Sequence, residues 1–345
     1  MPETSGPAIV LAGSVNSSYR TLQALIRHRM NVVGVLDLSP LRAANVSGYT
    51  RMDSLAQASG APYLEFEDIN APRIVDAVRQ WAPDVFFIVG LSQLVKEELL
   101  SIPALGCVGF HPTRLPEGRG RAPVSWMTLE GRPGAATFFQ MNAGADAGPI
   151  LVQEPFAVDP TDYASDVTEK LEAAIDLALD RWLPRLKRGE WKGTPQAEDR
   201  ATFYGKRNPE DGLIDWNWGV GKIHALVRAA SHPYPGAYTF VDNQKCVVWR
   251  AEPELKLAYR GVVGRIVHFE EGKGPLVQTG EGLLWLTETE WETSEGAEKP
   301  PKLRVGALLG YQPGNEIHLL KKRLAELESR MEELDHAQGA TRKKP

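Results

Sequence analysis

Two short stretches carry the residues best suited to chemistry. In GFHPTRLPEGRGRAPVSW, residues 109–126, a single histidine, His111, stands among three prolines and three arginines, and GADAGPIL, residues 144–151, holds one carboxylate, Asp146. Histidine suits proton transfer near neutral pH. A nearby carboxylate can orient it, favour its charged form, or accept the proton itself if its own pKa is raised. Pro112, Pro116 and Pro123 fix φ and stiffen the first loop. Gly118 and Gly120 permit unusual backbone angles and close approach of a ligand. Arg119 and Arg121 have two readings: they hold the loop by bonding carbonyls or carboxylates, or they meet an anionic ligand.

What must position these residues is legible upstream. Short β-type runs, AIVLAG, NVVGVLDL and DVFFIVG, alternate with the helical stretches RTLQALIRHR, RMDSLAQAS and LVKEELLS. That alternation predicts a doubly wound α/β domain, a mostly parallel sheet with helices on both faces. In such sheets ligands bind at the carboxyl ends of the strands. His111 follows the β-type run LGCVGF, and Asp146 precedes the apolar run ILVQEPFAV, so both are expected at the same sheet edge. The first strand runs into AGSVNSSYRT with one glycine, Gly13, so the G-x-G-x-x-G dinucleotide fingerprint is absent.

Downstream, residues 162–189 place Val167, Leu171, Ile175, Leu179 and Leu183 on one face at helical spacing. A polar linker follows, and then short strands broken by Gly/Pro turns, the pattern of a small antiparallel barrel. The expected organisation is a catalytic domain over 1–188, a linker over 189–206, an OB-like β-barrel over 207–312, a helix over 313–337 and a disordered tail over 338–345. In the last helix Ile317, Leu320, Leu324, Leu327, Met331 and Leu334 alternate three and four apart, a heptad seam. It either packs back on the barrel or forms a short coiled coil in a homodimer. Fewer than three heptads are marginal alone, so a dimer needs other contacts as well.

Composition excludes several classes. At 345 residues, with 43% hydrophobic and 24% charged side chains, the chain has the make-up of an ordinary globular protein. Its longest apolar runs are far shorter than a membrane-spanning helix of roughly 20 residues, so no membrane association is expected. The N-terminus has no basic patch before an apolar region, and Cys107 and Cys246 have no metal-type spacing. A cytoplasmic protein with free buried thiols and no metal is expected. The net charge of −5 offers no global attraction to nucleic acid.

The ordering FHP, then LPEGRGRAPVSW, then GADAGPIL resembles the N10-formyltetrahydrofolate-dependent formyltransferase family, which includes methionyl-tRNA formyltransferases and amino-sugar N-formyltransferases. YGKRNPEDGLIDW and IHALVRAASHPYPGAYT resemble the start of the family's C-terminal barrel, so the likeness covers roughly residues 7–310. It implies a Rossmann-like domain, N10-formyltetrahydrofolate as co-substrate, and His111 and Asp146 as catalytic residues. It also implies a folate pocket at VGLSQLV, with Val89, Gly90, Leu91 and Leu94 as candidates; Arg119 and Gly120 join them as candidates from the loop.

The chemistry fits these residues. A neutral amine attacks the formyl carbon through a tetrahedral oxyanion, and a base then removes a proton from the new ammonium. One departure from the family pattern stands out: its usual asparagine two residues before the histidine, which supports the oxyanion, is Gly109 here. Loss of one such donor costs about 10²- to 10³-fold in rate. A backbone amide or water replaces it, or Asn142 reaches in, or transfer is lost; Asn142 also reads as a turn residue ending a strand.

The transfer-RNA enzymes of the family carry a basic loop after the second strand. The matching segment here, residues 37–60, has only Arg42 and Arg51 against Asp37 and Asp53, poor material for phosphate neutralisation. The expected acceptor is therefore a small-molecule amine, a nucleotide-linked amino sugar, and nucleic acid is not expected as a partner. Methionyl-tRNA formylation, hydrolysis of formyltetrahydrofolate and non-catalytic folate binding are the alternatives.

Overall fold

The computed structural model describes residues 6–44, 46–142, 144–242, 244–292, 301–311 and 313–341, with the side chains of 315 and 332–341 left aside. The first half runs β1 (Ala8–Gly13), α1 (Asn16–Arg27), β2 (Asn31–Leu38), α2 (Asp53–Ser59), β3 (Tyr63–Phe66), α3 (Pro72–Trp81), β4 (Val85–Val89), α4 (Glu97–Leu100) and β5 (Gly106–His111). It continues through β6 (Arg119–Gly120), α5 (Pro123–Glu130), β7 (Gly134–Gln140), β8 (Ile150–Phe156) and α6 (Ala164–Lys187). Seven strands form one sheet in the order β3-β2-β1-β4-β5-β7-β8. The first five are parallel, whereas β7 and β8 pair antiparallel.

The apolar strands are buried on both faces, as a parallel sheet requires. Ile9 and Leu11 of β1 and Val85, Phe87 and Val89 of β4 face a layer containing α1 and α6. Their alternates Val10, Ala12, Phe86 and Ile88 face α3, through Ile74, Val75 and Val78. The helical spacing in α6 has the same cause: Val167, Leu171, Ile175, Leu179 and Leu183 are all buried on the sheet. Trp182 adds an aromatic contact with Phe87, ring centroids 5.8 Å apart.

The second half holds β9 (Phe203–Tyr204), α7 (Val220–Ala230), β10 (Ala237–Val241), β11 (Gln244–Glu254), β12 (Ile266–Glu270), β13 (Gly274–Gln278), β14 (Leu283–Trp291) and α8 (Pro313–Thr341). Five antiparallel strands run in the order β10-β11-β14-β13-β12. Among the described residues the sheet is closed by 306–310, which form no named strand. Gly306 donates to the Ile266 carbonyl, Leu309 to that of Gly264, and Gly310 to that of Phe240 on β10. This links the two edge strands, which are otherwise a liability.

The halves are joined by buried polar contacts. Ser125 Oγ donates to the Ala229 carbonyl at 3.0 Å, Arg228 Nη1 to that of Asp162 at 2.7 Å, and Tyr163 Oη to that of Ala251 at 3.2 Å. The segment between them is more than a spacer, since β9 pairs with β6 inside the histidine loop. The last helix does not pack back on the barrel: Ile317, Leu320, Leu324, Leu327 and Met331 are 43–67% exposed. Leu334 lies outside the described side chains, and α8 reaches Thr341, into the expected tail, whose residues 342–345 lie outside the described residues.

Candidate active site

The strand order reverses between β1 and β4, and there the chain leaves a cavity of about 900 Å³. Ser14 follows β1 into it, Gly90 follows β4, and His111 ends β5.

His111 is almost fully buried, with its side chain 7% exposed. Its Nε2 lies 2.8 Å from the Gly118 carbonyl oxygen. A carbonyl only accepts, so this bond assigns the proton to Nε2 and leaves Nδ1 bare in the neutral ring. Nδ1 faces Asp146 Oδ2 at 3.6 Å. Burial pushes the imidazole pKa below its ordinary value, and the Asp146 carboxylate and the Gly118 carbonyl act in the opposite direction. The ring is thus a neutral base with its free lone pair beside a carboxylate.

Asp146 is fixed from three sides. Its own backbone is left-handed, φ 52°, a conformation Asp tolerates better than most side chains. Oδ2 accepts the Gly120 N–H at 3.0 Å, and the carbonyl accepts Gln196 Nε2 at 2.8 Å. Gln196 is held in turn by Arg119, whose Nη2 donates to Oε1 at 2.8 Å and pairs with Glu198 at 2.6 Å. Gly120 is required here, because φ is 106° and a Cβ would stand 2.5 Å from the Tyr204 carbonyl oxygen.

The structure therefore separates the two arginines of the loop. Arg119 is 2% exposed and does not line the cavity, so among the candidate cofactor contacts it has a structural placement. The reason is the segment 196–204, which brings Gln196 and Glu198 against it. Arg121 borders the cavity.

Gly109 lines the cavity beneath an aromatic ring: a Cβ there would lie 2.6 Å from Phe139 Cζ and 3.1 Å from Met141 Cγ. The wall at the family's asparagine position is apolar and full. Asn142 lines the same cavity, and its Oδ1 accepts the Gly144 N–H at 3.0 Å, a turn bond. That bond fixes the amide orientation and leaves Nδ2 without a partner among the described residues.

Of the folate-segment candidates, Gly90, Leu91 and Leu94 line the cavity, Leu94 at 85% exposure. Val89 does not; it is fully buried in the sheet, and its carbonyl accepts Ser18 Oγ at 2.6 Å. Sequence reasoning missed Leu171 and Ile175 of α6, whose apolar spacing marked them only as core, and Thr168 beside them. Pro233 and Tyr234, in the stretch read only as the start of the barrel, also enter this cavity. Burial pushes the Tyr234 phenol up to about 12, so it is a hydrogen-bonding group, not a base, at neutral pH. Among the described residues no cluster of three or more His, Cys, Asp or Glu is arranged to hold a metal, and no helix is long and apolar enough to cross a membrane.

Known structures share this fold. HypX from Aquifex aeolicus, solved in complex with tetrahydrofolic acid, is 18% identical with a TM-score of 0.60 over 84% of this chain, which spans only 45% of the HypX chain. An N-formyltransferase from Helicobacter canadensis, in complex with folinic acid and dTDP-3-aminofucose, is 14% identical with a TM-score of 0.58, covering 81% of this chain and 98% of its own. A methionyl-tRNA formyltransferase from Clostridium thermocellum is 18% identical, TM-score 0.50, over 72% of this chain and 93% of its own. At these identities the likeness is one of fold. The family itself is shown by sequence models: residues 10–181 match that of formyl transferase, and residues 206–298 that of the formyl transferase C-terminal domain. Matched across most of its length by the two models, the chain belongs to the formyl transferase family.

Proposed function

We propose that the protein transfers a formyl group from N10-formyltetrahydrofolate to the amine of a small molecule, a nucleotide-linked amino sugar. The observation that carries this reading is the bare Nδ1 of a buried, neutral His111 facing Asp146 in a cavity of about 900 Å³. The amine nitrogen attacks the formyl carbon, and its surplus proton goes to His111 Nδ1. The C–N10 bond then breaks as N10 takes up that proton, giving a formamide and tetrahydrofolate. Asp146 stabilises the imidazolium formed between the two proton transfers. In this reading residues 1–188 carry the chemistry, with Gly90, Leu91, Leu94 and Gly120 against the folate, and the 207–312 barrel contributes Pro233 and Tyr234 to the cavity.

Support for a small acceptor comes from the 37–60 segment. Arg42 pairs with Glu67 at 3.1 Å, and Arg51 with Asp53 at 2.7 Å and Glu65 at 2.8 Å. Both cations that could meet an RNA backbone are engaged by carboxylates. The similar H. canadensis enzyme holds dTDP-3-aminofucose. The test is mass spectrometry of nucleotide-linked amino sugars incubated with the protein and 10-formyltetrahydrofolate, with tetrahydrofolate release followed in parallel. One product gaining a formyl group is expected. Folate release without a formylated product would make the protein a hydrolase instead.

The reading extends to assembly and location. The exposed seam of α8 pairs with the same helix of a second copy, since isolated amphipathic helices bury their apolar stripe against a partner. Light scattering is expected to give a dimer mass that becomes a monomer mass when residues after Gly314 are deleted. An unchanged mass would remove the coiled coil. Cys107 and Cys246 are buried free thiols, with burial pushing both up to about 12, which fits the reducing cytoplasm.

A further inference from the structure

We infer that Arg121 is the anion-binding residue of the acceptor subsite, receiving a phosphate of the nucleotide that carries the amine. The inference rests on the amino-sugar reading above and adds the residue that recognises the acceptor.

Arg121 is mounted next to the reacting groups. The preceding amide, Gly120 N–H, is bonded to Asp146 Oδ2 at 3.0 Å, and the Arg121 N–H donates to the Tyr204 carbonyl at 3.0 Å. Ala122 follows in the left-handed region, φ 50°, as the cap of α5. The backbone is thus held on both sides while the side chain borders the cavity that contains His111.

The guanidinium is also uncommitted. Arg119, Arg132 and Arg200 each hold a carboxylate, at 2.6, 3.1 and 2.8 Å, and Arg114, which has none among the described residues, does not line the cavity. Arg121 has no such partner among the described residues. None of the cavity's carboxylates pairs with it among the described residues: Glu172 is engaged by Arg20 at 3.5 Å and by Asn16, Asp146 Oδ2 accepts the Gly120 N–H, and Glu97 stands in the first turn of α4. Five fixed donors in a planar fork suit a phosphate.

The shared cavity suits the proposed acceptor. In a nucleotide-linked amino sugar a pyranose ring separates the amine from the first phosphate. Arg121 lines the same cavity as His111 and Asp146, so an amine at that pair and a phosphate at the guanidinium belong to the two ends of one such ligand.

Calorimetric titration of the full-length protein tests this, with dTDP, UDP and pyrophosphate as acceptor-side probes and folinic acid as the folate-side probe. Arg121→Gln is expected to weaken the tightest of the three phosphate probes by about 10- to 100-fold, and Arg121→Lys to recover part of the loss. Folinic acid binding is expected to stay within about twofold in both variants, which also shows that the loop remains folded. Unchanged phosphate binding in Arg121→Gln would overturn the assignment and leave the amino-sugar reading standing. An equal loss of folinic acid affinity would move Arg121 to the folate's glutamate. A wild-type protein that binds folinic acid and none of the phosphate probes would overturn the nucleotide-linked acceptor together with the role of Arg121.

Discussion

His111→Ala is expected to slow formyl transfer by about 10²- to 10⁴-fold while the protein still binds folinic acid. The size follows from the geometry: Nδ1 is the only bare ring nitrogen, because Nε2 is spent on the Gly118 carbonyl at 2.8 Å. The pH dependence makes the prediction sharper. Burial holds the imidazole below its ordinary pKa, so the base stays neutral through and below the usual histidine range. The rate should be flat across neutral pH and fall only at clearly acid pH, as Nδ1 protonates. Asp146→Asn removes the carboxylate that raises the histidine, so the acid limb should move still lower, while the asparagine carbonyl can keep accepting from Gly120. The linked effect on stability has a definite sign. The unfolded chain takes up a proton near pH 6.5 that the folded site resists, so folding weakens as pH falls below that value. An acid limb centred at or above pH 6.5, or one that survives unchanged in His111→Ala, would remove His111 from the role of base.

The approach of His111 and Asp146 was legible in the sequence because each belongs to a strong local pattern. His111 ends an apolar strand, and Asp146 sits in a glycine-flanked loop before another. Parallel strands read clearly for the same reason: Ile9 to Ala12 and Val85 to Val89 are apolar without alternation because both faces are covered. The heptad spacing of α8 was equally plain, but spacing alone could not say whether the helix lies on the barrel, and its exposed leucines answer that.

What stayed hidden depends on contacts between distant segments. Arg119 and Arg121 are indistinguishable in sequence, and only the approach of Gln196 and Glu198 buries one and leaves the other at the cavity. Tyr234 reaches the site because the barrel docks on α5 through Ser125, a contact with no local signature. The closing segment 306–310 lacks strand periodicity altogether. Its role comes from a few backbone bonds to β12 and β10 that no side-chain pattern announces.

Asn142→Ala is expected to lower kcat by about 10²- to 10³-fold, the cost of removing one oxyanion donor. The family's donor is missing at Gly109. Phe139 and Met141 occupy the space a side chain would need, with Phe139 Cζ only 2.6 Å from where a Cβ would stand. Gly109→Asn should therefore restore nothing by itself and destabilise the fold by about 1–3 kcal/mol through overpacking. A replacement must come from elsewhere on the cavity wall. Asn142 lines that wall with Oδ1 tied to the Gly144 N–H, so its Nδ2 hydrogens are the ones left for a developing negative oxygen. Asn142→Asp separates this role from a purely structural one, because a carboxylate can still accept from Gly144 and keep the turn, yet it has no hydrogen to donate. The aspartate variant should be at least as slow as the alanine variant, with folinic acid affinity and melting temperature near wild type. If aspartate instead sustained wild-type turnover, Asn142 would be a turn residue only, and the oxyanion would have to be stabilised by a backbone amide or by water.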